Sequence, residues 1–110
     1  MDLSRGSLVT VALQGEHGKP RPALVVQSES FPTTSTVVVL LLSSALRDAP
    51  LIRVTVQPTD GNGLRIVSQV MVDKSFAVAR RRVGSVFGRL EESSMLEVSQ
   101  RLALLLGIAA

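Results

Sequence analysis

The sequence predicts a small, mainly β domain: a strongly bent antiparallel sheet or barrel with one helix packed on it at the C-terminus. Three observations lead there. The 110 residues are 45% apolar and 19% charged, which suits one folded domain over residues 1–110 and sets aside disordered and low-complexity readings. From Ser7 to Phe87 the apolar pattern is either alternating or a short β-branched run of strand length. Helical periodicity enters only after Glu91, and one terminal helix cannot supply regular βαβ crossovers, so an antiparallel arrangement follows.

Taken in order, Ser7–Gln14 alternates with period two and ends at Gly15, the pattern of a half-buried strand. Gly15–Pro22 mixes two glycines and two prolines with Glu16, His17, Lys19 and Arg21, and reads as a loop that concentrates polar chemistry. Ala23–Gln27 and Thr36–Leu42 are apolar and β-branched, as in buried strands. Leu51–Gln57 alternates again before the Pro58–Gly63 turn. Val67–Val72 makes a fifth strand, with short strands over Phe76–Ala79 and Val83–Phe87. From Glu92 to Leu106, Met95, Leu96, Val98, Leu102, Leu105 and Leu106 recur at three- and four-residue spacings, with Gly107 as the stop. This stripe is expected to face the core.

Composition narrows the chemistry. There is no cysteine and one histidine, so disulfides, thiolate catalysis and Cys- or His-rich metal sites are not expected, and no metal or cofactor is. No apolar stretch approaches the roughly 20 residues of a membrane span. The N-terminus shows no secretory pattern, and the cytoplasm is the expected compartment. Residues 1–90 carry eleven Lys and Arg against six Asp and Glu, a balance of +5, while residues 91–110 carry one against three, or −2. A basic body fits a polyanion or an acidic protein segment, and equally an ordinary solvated surface. No phosphate-binding glycine loop, nucleophile elbow or paired-carboxylate spacing is present. What remains is His17 and Arg21 in the first loop, Ser43-Ser44 at a strand end, Asp73-Lys74 after another strand, and Arg80-Arg81-Arg82. An imidazole or guanidinium, a hydroxyl and a carboxylate suit acid–base work on a phosphodiester, and they suit binding equally well.

Several stretches, in order, resemble the MazF/PemK family of toxin endoribonucleases. Arg5-Gly6, followed by Lys19-Pro20-Arg21-Pro22-Ala23-Leu24-Val25-Val26, is similar to the family's "RG…RPALVV" opening. Val37–Ser44 resembles its "VVVxPLTS" strand, Ser68–Lys74 its "SVVRxDQ" strand, and Gly88-Arg89-Leu90 its "GRL" before the last helix. The resemblance spans nearly the whole chain and implies a small SH3-like or CcdB-like barrel. It also implies a homodimer that cleaves single-stranded RNA without metal, leaving a 2′,3′-cyclic phosphate and a 5′-hydroxyl, and that is held by a cognate antitoxin.

Position by position, the resemblance makes Arg21 the catalytic arginine, Ser43 the catalytic hydroxyl, and Asp73 or His17 the base. Glu16, Lys19, Ser44, Lys74 and Arg80 are expected to contact substrate. The chain departs from the pattern at Met71, where some members carry a second arginine, and at Leu41, Ser43 and Lys74, which stand for Pro, Thr and Gln. Two rivals come with it. The related CcdB type binds DNA gyrase through a C-terminal Trp before Gly-Ile; here Gly107-Ile108 is present and the Trp is not. The other is a non-catalytic relative that only binds RNA or antitoxin.

Overall fold

In the computed structural model of the chain, residues 3–15 and 19–109 are described. Six strands, β1 (Ser7–Ala12), β2 (Pro20–Val25), β3 (Thr36–Ser43), β4 (Arg53–Val56), β5 (Ser68–Ala79) and β6 (Val83–Arg89), precede one helix, α1 (Glu92–Leu105). All pairings are antiparallel, in the order β4-β5-β3-β2-β1-β6. A three-residue 3₁₀ turn, Arg80–Arg82, joins β5 to β6.

The central strands are apolar on both sides because both faces of the sheet are covered. In β3, Val39, Leu40, Leu41 and Leu42 are all buried, so one face of the strand feeds each of two clusters. Leu8, Leu24 and Leu40 form one cross-strand row and Val54, Val70 and Leu42 another. These rows pack with Val98 of α1. The opposite face gathers Val9, Val11, Ala23, Val25, Val39, Leu41 and Met71.

The sheet is open rather than a closed barrel: β4 and β6 are its two edges. The turn after β4 spans the gap, and Arg89 N–H donates to the Gly61 carbonyl at 2.9 Å. Asn62 fixes that turn. Fully buried, it accepts from the Thr59 and Leu64 amides and donates to the Gln57 carbonyl and the Glu91 carboxylate. A Cβ at Gly88 would lie 2.2 Å from the Asn62 carbonyl oxygen, so the contact between turn and β6 requires glycine.

Three expectations change. The strands expected over Val67–Val72 and Phe76–Ala79 are one strand, β5, of twelve residues. Its register against β3 jumps from Leu40↔Ser75 to Leu42↔Val70, leaving Met71–Lys74 opposite Leu41 as a bulge in an otherwise continuous ladder. Pro20, Arg21 and Pro22, read as loop, belong to β2 and pair with Ala12, Val11 and Thr10. The helical stripe is narrower than its spacing implied. Met95, Val98 and Leu102 face the sheet, whereas Leu96 lies off that face and Leu105 and Leu106 are in the last turn, 47% to 62% exposed. The helix ends as expected: Gly107 has φ +74°, with Gly107 N–H on the Leu104 carbonyl and Ile108 N–H on that of Ala103, a Schellman cap. No helix among the described residues is long and apolar enough to cross a membrane.

Candidate active site

The site begins with register. Antiparallel partners share a face, and Thr55 of β4, Gln69 of β5 and Ser43 of β3 are partners in sequence across the sheet. Ala23 of β2 pairs with Leu41 of β3. The start of β2, with Arg21, and the end of β3, with Ser43, each lie two residues beyond that pair at the same end of the two strands. Arg21 also pairs with Val11 of β1, so a guanidinium and a hydroxyl stand on neighbouring strands, on the face of the second apolar cluster. Both are partly exposed, as groups that meet a substrate must be.

Ser43 closes β3, and its Oγ accepts the Ala45 amide at 3.0 Å. That bond occupies a lone pair and leaves the hydroxyl proton available for donation. The following segment, from Ser44, is exposed and is tied down by two side chains: Arg53 donates to the Ala45 carbonyl at 3.1 Å, and Gln69 bonds both the amide and the carbonyl of Arg47. Asp73 and Lys74, also exposed, sit on the β5 bulge two and three residues beyond Met71. A bulge turns side chains out of the ladder's regular alternation, and it presents this carboxylate and ammonium away from the core.

The remaining expected residues divide. Lys19 is exposed immediately before β2 and Ser44 immediately after β3, both at the end of the sheet that carries Arg21 and Ser43. Arg80 is committed elsewhere: it donates to the Thr34 carbonyl, to Thr34 Oγ1 at 3.2 Å and to the Phe31 carbonyl at 3.3 Å, bracing the β2–β3 connection. Its neighbours Arg81 and Arg82 line a groove of about 480 Å³ with Gln14 and Phe76, which makes them better placed than Arg80 to meet a polyanion. Glu16 and His17 lie outside the described residues. Among the described residues no three of His, Cys, Asp and Glu come together as a metal-binding group.

Sequence reasoning passed over Gln69 and Arg53. A glutamine inside the apolar Val67–Val72 run was the available signal, since a polar side chain buried in a strand needs partners.

A model of the PemK-like, MazF-like toxins of type II toxin-antitoxin systems matches residues 4–106, and a probable endoribonuclease MazF of Mycolicibacterium smegmatis is 39% identical over 108 residues, 97% of this chain and 99% of that protein. The chain belongs to the PemK/MazF toxin family. Solved structures agree in fold. An endoribonuclease in complex with its cognate antitoxin, from a mycobacterial species, superposes with a TM-score of 0.83 at 22% identity, covering 99% of both chains. A MazE–MazF crystal structure from Deinococcus radiodurans gives 0.80 at 24%, again over 99% of both. The PemK/MazF match extends from β1 through α1, and it favours the endoribonuclease family over the gyrase-binding alternative.

Proposed function

We propose that this chain is an endoribonuclease toxin, acting as one domain over residues 1–110, that cleaves single-stranded RNA without a metal ion. The observation that supports the proposal is that Arg21 and Ser43, both partly exposed, lie on the adjacent strands β2 and β3 at the same end of the sheet. Family membership and the 39% identical relative named as a probable endoribonuclease supply the reaction class. In this reading a ribose 2′-hydroxyl attacks the adjacent phosphorus while the bond to the 5′-oxygen breaks. The products are a 2′,3′-cyclic phosphate and a 5′-hydroxyl.

Charge builds on the phosphoryl oxygens as phosphorus becomes five-coordinate. Arg21 opposes that charge with two parallel N–H donors, and Ser43 adds a hydroxyl donor. The 2′-hydroxyl proton passes to Asp73 or His17, and the departing 5′-oxygen takes up a proton as the bond breaks. Lys19, Ser44 and Lys74 hold flanking phosphates and Glu16 a neighbouring nucleotide, while Arg80 acts by bracing its loop. The toxin works in the cytoplasm as a homodimer, restrained by an antitoxin whose acidic tail occupies the RNA face.

The test is incubation of the purified protein with labelled single-stranded RNA of mixed sequence in EDTA, followed by analysis of product ends. Cyclic phosphate and 5′-hydroxyl ends are expected. Products with 5′-phosphates, or activity that EDTA abolishes, would refute the mechanism.

A further inference from the structure

We infer that Gln69, braced by Arg53, is a positioning residue that sets the Ser43 hydroxyl for the reaction; the inference rests on Ser43 acting as proposed above. Gln69 is the direct cross-strand partner of Ser43 and is 5% exposed. A side-chain amide offers two acceptor and two donor positions, and here all four are used. Oε1 accepts from the Arg47 amide at 2.9 Å and from Arg53 Nη1 at 3.1 Å. Nε2 donates to the Arg47 carbonyl and to Thr55 Oγ1, both at 3.1 Å.

The two bonds to Arg47 reproduce what a neighbouring strand gives a residue, one accepted N–H and one satisfied C=O. The segment they hold has no ladder of its own: β3 stops at Ser43 and β4 starts at Arg53. Arg53 adds a third tether through the Ala45 carbonyl, one peptide away from the N–H that fixes Ser43 Oγ. Because that N–H occupies an oxygen lone pair, its position decides where the hydroxyl proton points. If Ala45 drifts, the proton no longer aims at a phosphoryl oxygen.

An apolar residue at 69 would suit the surroundings, since Val70 and Met71 beside it are buried and apolar. Glutamine serves the loop instead. Glutamate could keep the Arg47 amide and the Arg53 contact but has no N–H for the Arg47 carbonyl or Thr55. Leucine would keep none of the four.

The measurement is single-turnover cleavage of the labelled RNA by wild type, Gln69→Leu, Arg53→Met, Ser43→Ala and the doubles Ser43→Ala/Gln69→Leu and Ser43→Ala/Arg53→Met. A reacting group displaced by about 1 Å costs on the order of 100-fold, so Gln69→Leu and Arg53→Met should each lower the saturated rate by about 10- to 100-fold. Half-saturating protein concentration should change by less than about twofold, because binding and chemistry separate in this way when only the transition state is affected. With alanine at 43 the same substitutions should change the rate by less than about twofold, since two residues that act through one group are non-additive. Gln69→Glu should fall between wild type and Gln69→Leu.

Equal losses with serine or alanine at 43, or a loss confined to half-saturation, would overturn the positioning role while leaving Ser43 in the site. An unchanged rate for Ser43→Ala would overturn the reading of the site itself, and the positioning role with it. Should Gln69→Leu fail to fold, Arg53→Met leaves three of the four Gln69 bonds in place and decides the same question.

Discussion

Arg21 concentrates the account at the scale of a residue. Its place on β2, paired with Val11, makes it part of the sheet, so in the proposed mechanism its guanidinium meets a phosphate from a fixed base. Arg21→Ala should lower cleavage by about 100- to 1,000-fold, the range for removing one donor to a developing oxyanion. Arg21→Lys should be impaired as well, because an ammonium lacks the planar two-point contact. Cleavage kinetics with melting curves would check both, and a lysine variant as fast as wild type would remove the bidentate argument. Asn62 is the structural counterpart. Asn62→Ala would take the side-chain partner from two amides and a carbonyl of the turn, and should cost about 1 to 3 kcal/mol in denaturant unfolding. Most candidate residues were legible in the sequence as chemical types in family order. Gln69 and Arg53 were not, because their role lies in which backbone groups they reach, and only the register reveals that.

Strands and helix obey the same logic at the scale of the element. The apolar runs of β2 and β3 and the alternation of β1 and β4 located four strands to within a few residues, because each pattern mirrors which faces are covered. The continuity of β5 could not be read. Asp73-Lys74-Ser75 looks like a break in an apolar run, but Asp73 and Lys74 sit in a bulge of a strand that pairs with β3 on both sides of it. The helical stripe misled for a related reason: period shows which side of a helix is apolar but not how far the sheet extends beneath it, and here the sheet ends before Leu105. The tie between the turn after β4 and the start of α1 makes a pH prediction. Glu91, which precedes the helix, has its carboxyl held below the usual value near 4.5, chiefly by the Thr59 hydroxyl bond and also by that of Asn62, with burial opposing. A carboxylate lowered in the folded state contributes stability above its unfolded pKa and loses it as pH falls through the folded one. Unfolding free energies of wild type and Glu91→Gln should therefore differ most near neutral pH and converge as pH falls through the lowered folded-state pKa. A constant difference would place the effect in packing rather than charge.

For the molecule as a whole, charge and surface set the partners. The +5 body of residues 1–90 and the groove bearing Arg81 and Arg82 favour a polyanion, and a disordered acidic tail can imitate a phosphate chain while ordering on contact. On the proposed function, RNA and a cognate antitoxin should then compete, with association slowing as salt shortens the screening length below about 8 Å. A titration in which saturating antitoxin leaves RNA affinity unchanged would contradict a shared face. Solution scattering should give a two-fold dimer; the exposed Leu104, Leu105, Leu106 and Ile108 are apolar surface of the kind such an interface covers. The central claim, that a 2′-hydroxyl is the nucleophile at a site built on Arg21 and Ser43, is tested most directly by changing the substrate. The protein should be given the labelled RNA and the same RNA with every 2′-hydroxyl methylated, both in EDTA. The account predicts rapid cleavage of the first and no cleavage of the second. Cleavage of the methylated strand at a comparable rate would show that another nucleophile is at work and contradict it.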